Sequence, residues 1–248
     1  QMAPNKKPQS RGIYLLPNLF TTAGLFAGFY AIIAAIRGDF ESAAIAIFIA
    51  LVMDGLDGRI ARLTNTESAF GAEYDSLADM VSFCLAPALV IYQWALLDMG
   101  KLGWMVAFIY AACGALRLAR FNTQIGVEDK RYFQGLPSPA AAACLAGWIW
   151  AGSSNYFDPV LIANIALPLT FGCGILMVST LRYHSFKELD FRGKVPFVVM
   201  LILVLGIAFI AIDPASILFG GFLFYAISGP IFTLAKLRQH RTGRQHDK

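Results

Sequence analysis

The chain has 248 residues, of which 57% are apolar and only 15% charged, with a mean hydropathy of +0.60 and a formal net charge of +4. Soluble globular chains carry about 45–50% apolar and about 25% charged residues, so an ordinary soluble domain is excluded, and so is disorder, which requires low hydrophobicity. Four cysteines (Cys84, Cys113, Cys144, Cys173) lie singly in apolar stretches with no C-x-x-C, which excludes a disulfide scaffold and reads as packing.

A membrane-spanning helix needs about 20 mostly apolar residues. Eight stretches qualify: 14–36, 41–63, 73–97, 103–121, 138–153, 159–181, 195–212 and 215–236. The expected fold is therefore all-α, a polytopic transmembrane helical bundle. It comprises an N-terminal segment over 1–13, a membrane domain over 14–236 and a basic tail over 237–248. The second and third spans contain aspartates, so hydropathy alone is expected to pass over both. No stretch reads as a series of strands. The first span is too long for a signal-peptide core and lacks a small-residue cleavage site, so no cleavable leader is expected.

With the N-terminus in the cytoplasm, 18 of the 20 Lys and Arg residues fall inside, leaving only Arg37 and Lys101 outside. That bias predicts an N-in, C-in topology. It also accounts for the net charge, so no nucleic-acid partner is expected. Trp94, Trp104, Trp148 and Trp150 all fall near outer ends, as an interfacial belt would. The basic tail is expected on anionic membrane lipids. The linkers 64–72, 122–137 and 182–194 then lie on the cytoplasmic side, so an active surface should face the cytoplasm.

The chemistry concentrates in MDGLDGRIARLTNTESAFGAEYDSLADMVSF, residues 53–83. Asp54 and Asp57 are three residues apart, and Asp75 and Asp79 four apart, so each pair shares one helix face. The pairs sit at the same end of two consecutive antiparallel helices. Each Asp costs about 2.5–3.5 kcal/mol at a membrane-helix centre, less near its ends, and close like charges also repel. One or two divalent ions offset this better than Arg59 and Arg62 can. An all-carboxylate donor set suits Mg²⁺ or Mn²⁺, and the lack of nearby His or Cys argues against zinc. Gly58 and Ala61 share the stripe of Asp54 and Asp57, and Gly71 and Ser82 share that of Asp75 and Asp79. These small residues either clear space for a ligand or let the helices pack closely.

The segment resembles the signature of the CDP-alcohol phosphatidyltransferase family, D-x2-D-G-x2-A-R-x8-G-x3-D-x3-D. It is carried here by Asp54, Asp57, Gly58, Ala61, Arg62, Gly71, Asp75 and Asp79. LLPNLFTTAGLFAGFYAI, DSLADMVSFCLAPA and RFNTQIGVEDKRYFQGLPSPAAA are similar to the phosphatidylserine synthase branch, which has Gly where Cys84 stands. The resemblance implies a six-helix CDP-alcohol phosphotransferase core, here with two added C-terminal helices, in a homodimer of the bacterial cytoplasmic membrane. It further implies CDP-diacylglycerol as donor, L-serine as acceptor, and a pair of divalent ions held by Asp54, Asp57, Asp75 and Asp79. Asp79 is the implied general base, and Gly58, Ala61, Arg62 and Gly71 line the CDP pocket.

A serine acceptor carries a carboxylate, which calls for a cation. Arg120 is the first expectation and Arg117 the second, with Ser82, Lys130, Arg131 and Gln134 nearby in sequence; inward anchoring explains the arginines equally well. Asn18 and Thr22 are candidates for nucleotide or phosphate contacts, or for ordinary hydrogen bonds between helices. Glycerol 3-phosphate, inositol phosphate or choline remain open as acceptors. From a different class, an ion-coupled transporter also places carboxylates in a membrane, near its midplane and with repeat symmetry. No internal repeat is visible here.

Overall fold

The computed structural model describes residues 15–64, 68–123, 132–154, 157–184 and 197–246. Lys130, Arg131, the N-terminal segment and parts of all three linkers lie outside them. The described residues form eight helices: α1 (Leu15–Ile36), α2 (Phe40–Thr64), α3 (Ala69–Met99), α4 (Lys101–Thr123), α5 (Ser138–Ser154), α6 (Pro159–Val178), α7 (Phe197–Ile212) and α8 (Pro214–His246). Each matches one expected span. Two three-residue strands, β1 (Tyr132–Gln134) and β2 (Arg182–His184), pair antiparallel with Phe133 opposite Tyr183. Two such short segments are no series of strands, and the described fold is all-α.

Five helices are long and apolar enough to cross a membrane: α1, α3, α4, α6 and the first part of α8. This fits a polytopic membrane protein. Hydropathy does pass over α2, whose last third is charged, but not α3, whose long apolar stretch outweighs its three aspartates and Glu73.

The turn between α1 and α2 follows from three residues. Gly38 takes φ 78°, its N–H bonds Ala35 O at 3.0 Å, and Asp39 N–H bonds Ala34 O at 2.9 Å. This is a Schellman closure, and glycine alone enters that φ without strain. Asp39 Oδ1 then accepts Ser42 N–H at 3.1 Å and caps α2. The two helices are thereby folded antiparallel, and they meet along buried alanines, among them Ala27, Ala31, Ala43 and Ala46. Lipid tails are as apolar as leucine, so helices in a membrane hold together by close contact, which small residues permit.

α5 is buried on nearly every side, including Ala140 to Ile149 throughout. A helix apolar all round belongs at the centre of a bundle. α7 is the opposite case: its outward residues Val204, Leu205, Ile207 and Phe209 are exposed, and it packs mainly on α8.

α3 is one 31-residue helix with uneven winding. It is α-helical over Ala69–Asp79, opens into a π turn over Met80–Leu85, returns to α over Ala86–Ile91 and widens again over Tyr92–Leu96. Within the first wide turn Ala86 N–H bonds Val81 O, five residues back. Such π segments tend to fall at functional sites, and this one starts immediately after Asp79. It turns Ser82 toward α1, where Ser82 Oγ donates to Gly24 O at 3.1 Å and a methyl on Gly28 would collide with Ser82. Cys84 meets Gly114 of α4 so closely that a Cβ there would strike the sulfur. The cysteine that replaces the expected glycine is thus matched by a glycine across the interface.

The tryptophans correct the interfacial-belt expectation. Trp148 is buried, 5.3 Å from Phe219 and 6.1 Å from Phe157 between ring centres. Trp94 meets it edge-on at 6.3 Å. Trp104 alone of the four is exposed, at 51%.

A candidate carboxylate metal centre

Asp54 and Asp57 stand one turn apart in the last third of α2, and Asp75 and Asp79 one turn apart in the first third of α3. The 65–67 connection lies outside the described residues, but α3 starts cleanly: Ser68 Oγ accepts Gly71 N–H at 3.0 Å. Carboxylate oxygens of Asp54, Asp57 and Asp75 all come within 4.8 Å of one another. Three of the four expected acids therefore converge. Asp79 lines the same cavity outside that group of three and interacts with Asp54, Asp75, Asp57 and Arg117.

The acids surround a cavity of ≈ 10 Å³. That is about one water-sized probe, and so about the room of one small ion. Thr21, Gly24, Ala50 and Ser82 line its other walls. Asp57 is only 5% exposed and is fixed by Thr21 Oγ1, which donates to Asp57 Oδ2 at 2.8 Å. A carboxylate held from behind in this way is oriented as a ligand. Three converging carboxylates with no nitrogen or sulfur donor among them suit a hard divalent cation. The residues therefore fit a metal centre.

The other expected residues divide into two groups. Near the acids, Asn18 Oδ1 lies 3.5 Å from where a Gly71 Cβ would stand, which places the amide beside the start of α3. Thr22 Oγ1 bonds Asn18 O at 2.7 Å and pairs with Tyr74 Oη at 2.9 Å, beside Asp75. Gly58 faces open space, and Ala61 is half-buried. Arg62 folds back on its own helix, donating from Nε to Gly58 O at 2.9 Å. Ser82 is buried at the cavity wall and holds Gly24 O.

The second group is separate. Arg120 donates to three backbone carbonyls, Val178 O at 3.1 Å, Gln134 O at 3.3 Å and Ser179 O at 3.4 Å. It ties β1 to the end of α6, and its guanidinium is engaged there. The Gln134 side chain is exposed. Arg117 differs. It is 8% exposed, its Nη1 donates to Ser138 Oγ at 2.9 Å, its Nε has no partner, and it interacts with Asp79. Of the two arginines, Arg117 belongs to the acid cluster and Arg120 to the scaffold.

Thr21 and Ser138 were not anticipated. Thr21 has a signal in hindsight: it lies on the Gly24–Gly28 face that α2 and α3 approach, whereas Thr22 points around the helix. Ser138 has none, because its role depends on α4 meeting α5.

A helical bundle fitting a membrane, with three converging carboxylates at a small cavity that could hold a hard cation, defines the class: a polytopic membrane protein with an acidic site. The family is defined by comparison. The profile of the CDP-alcohol phosphatidyltransferases matches residues 14–228, and the chain belongs to that family. The chain is similar to a CDP-diacylglycerol–serine O-phosphatidyltransferase of Helicobacter pylori strain J99, 37% identical over 226 residues, covering 91% of this chain and 94% of that protein. The protein of the same name from Bacillus subtilis is 34% identical over 175 residues, 70% of this chain and 92% of the relative. That of Methanocaldococcus jannaschii is 38% identical over 142 residues, 57% and 63% respectively.

Proposed function

We propose that the chain transfers the phosphatidyl group of CDP-diacylglycerol to L-serine, giving phosphatidylserine and CMP. The observation that carries this is the meeting of Asp54, Asp57 and Asp75 within 4.8 Å at the family's motif positions. The names and coverage of the bacterial relatives support serine as acceptor.

Asp54, Asp57, Asp75 and Asp79 would hold divalent cations, Mg²⁺ or Mn²⁺: one has room in the cavity between the acids, and the family resemblance implies a second once the donor is bound. When bound, they neutralise the diphosphate oxygens and the leaving CMP. The chain's own part is positioning and proton transfer. Asp79 stands one turn along α3 from Asp75 and accepts the proton of the serine hydroxyl. The hydroxyl oxygen attacks the β-phosphorus, the bond to CMP breaks, and no phosphatidyl-enzyme forms. Arg117, buried with an unpartnered Nε beside Asp79, receives the serine carboxylate, with Ser138 holding its other end. Arg120 holds the backbone of Gln134 and of the end of α6 beside that pocket; Lys130 and Arg131 lie outside the described residues. Gly58, Ala61, Arg62 and Gly71 border the cytidine side, with Asn18 and Thr22 nearer the phosphates.

The Lys/Arg asymmetry supports an N-in, C-in arrangement in a bacterial cytoplasmic membrane, with the acids toward the cytoplasm. Family membership supports a homodimer.

Purified protein in lipid nanodiscs should release CMP from CDP-diacylglycerol only when serine and a divalent ion are both present. Full activity under exhaustive chelation would overturn the metal centre. Strong activity with choline, inositol phosphate or glycerol 3-phosphate and none with serine would overturn the acceptor.

A further inference from the structure

On the outer side of the α1–α2 pair lies a groove of ≈ 640 Å³, far larger than the cavity between the acids. Leu19, Phe26 and Tyr30 of α1 and Ile49 of α2 form its walls; Ala23, Ala27 and Ala46 leave the space between them. It runs from Leu19 to Tyr30 on α1 and from Met53 back to Ser42 on α2. Eleven helical steps on each side make it about 17 Å long at about 1.5 Å per step. One leaflet of a hydrocarbon core of about 30 Å has nearly that depth.

One end of the groove reaches the acid cluster. Thr22 lines it and pairs with Tyr74, the residue before Asp75; Met53, also in the lining, precedes Asp54. The far end is marked by Tyr30 and Ser42, near the closed turn at Gly38 and Asp39. The groove is thus polar at both ends and apolar between.

We infer that this groove guides one acyl chain of the donor lipid, and that Tyr30 and Ser42 set the length it accepts. The inference rests on the transfer reading above. Surrounding lipid is as apolar as the groove, so burial there adds little affinity. What the groove provides is direction: a chain tethered to a headgroup at the acids must leave between α1 and α2, which fixes how the diphosphate presents itself.

Two measurements test this. A CDP-lipid carrying a diazirine on one acyl chain, photolysed with the wild-type protein in nanodiscs, should label residues 19–30 and 42–53; labels confined to other helices overturn the inference. Ala23→Phe at the near end and Ser42→Trp at the far end should each lower kcat/KM for a dipalmitoyl donor about fivefold or more, because a donor whose chain is turned out of the groove presents its diphosphate out of line. A dibutyryl donor should be affected less than about twofold, with KM for serine unchanged. Equal losses with both donors, or none with either, would refute it. Crosslinking of Ile49→Cys between two copies in the membrane would place a second chain there instead, and also refute it. Photolabelling needs binding and not turnover. A wild-type protein that releases no CMP therefore sinks the transfer reading, while the labelled helices still decide the groove.

Discussion

The two ends of α3 solve opposite problems. At its start, Asp75 and Asp79 face Asp54 and Asp57 across a cavity that no side chain fills. Toward its finish, Trp94 meets Trp148, which also stacks with Phe157 and packs on Phe219. Glycines serve both ends differently. Gly147 and Gly152 admit Phe219 and Trp94 into close contact, whereas Gly58 faces open space. One end gains cohesion by interlocking aromatic surfaces. The other holds like charges together, which lowers cohesion unless a cation is bound. The bundle can hold an expensive site because its stability is provided elsewhere.

If that division holds, substitutions at the acid end should change activity and those at the aromatic end should change stability. The largest effect is expected from Asp79→Asn, which keeps shape but cannot take a proton. Turnover should fall about 10²–10⁴-fold while CDP-lipid binding persists, and wild-type CMP release would refute the base assignment. Trp148→Ala should lower stability by about 3 kcal/mol, through the cavity it leaves, seen as an earlier thermal transition in detergent. Activity per folded molecule should stay near wild type; an unchanged transition would show that the aromatic end is not the anchor. Thr21→Val keeps volume and removes the hydrogen bond to Asp57. The metal concentration for half-maximal activity should rise about tenfold, at the low end for groups that orient a ligand, and an unchanged titration would break the link between Thr21 and the site.

The same contrast shows what could be read in advance. The acids were legible because their spacing fixes a face and because carboxylates in lipid demand a partner. The α1–α2 turn was legible only as the break between the spans ending at 36 and starting at 41; the roles of Gly38 and Asp39 came from the structure. The π turn after Asp79 was not, since nothing in MVSFCL marks a change of winding; it emerges from packing on Gly24, Gly28 and Gly114. Nor was the division between Arg117 and Arg120. Both end α4 on the same side, and only the arrival of Ser138 and of the Val178–Ser179 carbonyls separates them. The β1–β2 pair joins two linkers about 50 residues apart, a contact no local pattern specifies. The tryptophans misled for a related reason: position along a span does not tell whether a ring faces lipid or a neighbouring helix.

The smallest effect is expected at the α1–α2 turn, which belongs to neither end. Asp39 is exposed, and its bonds with Ser42 hold its carboxyl below the ordinary aspartate value. A carboxyl with a depressed folded value favours the folded state above its unfolded value, and loses that contribution as pH falls through the folded one. The turn should therefore weaken only in acid, below about pH 4. Asp39→Asn retains a capping oxygen but cannot titrate. Its thermal transition should match wild type near neutrality and depend less on pH in the acid range. A variant already weakened at neutral pH would show that the charge of Asp39, and not the geometry of its cap, holds the two helices in register.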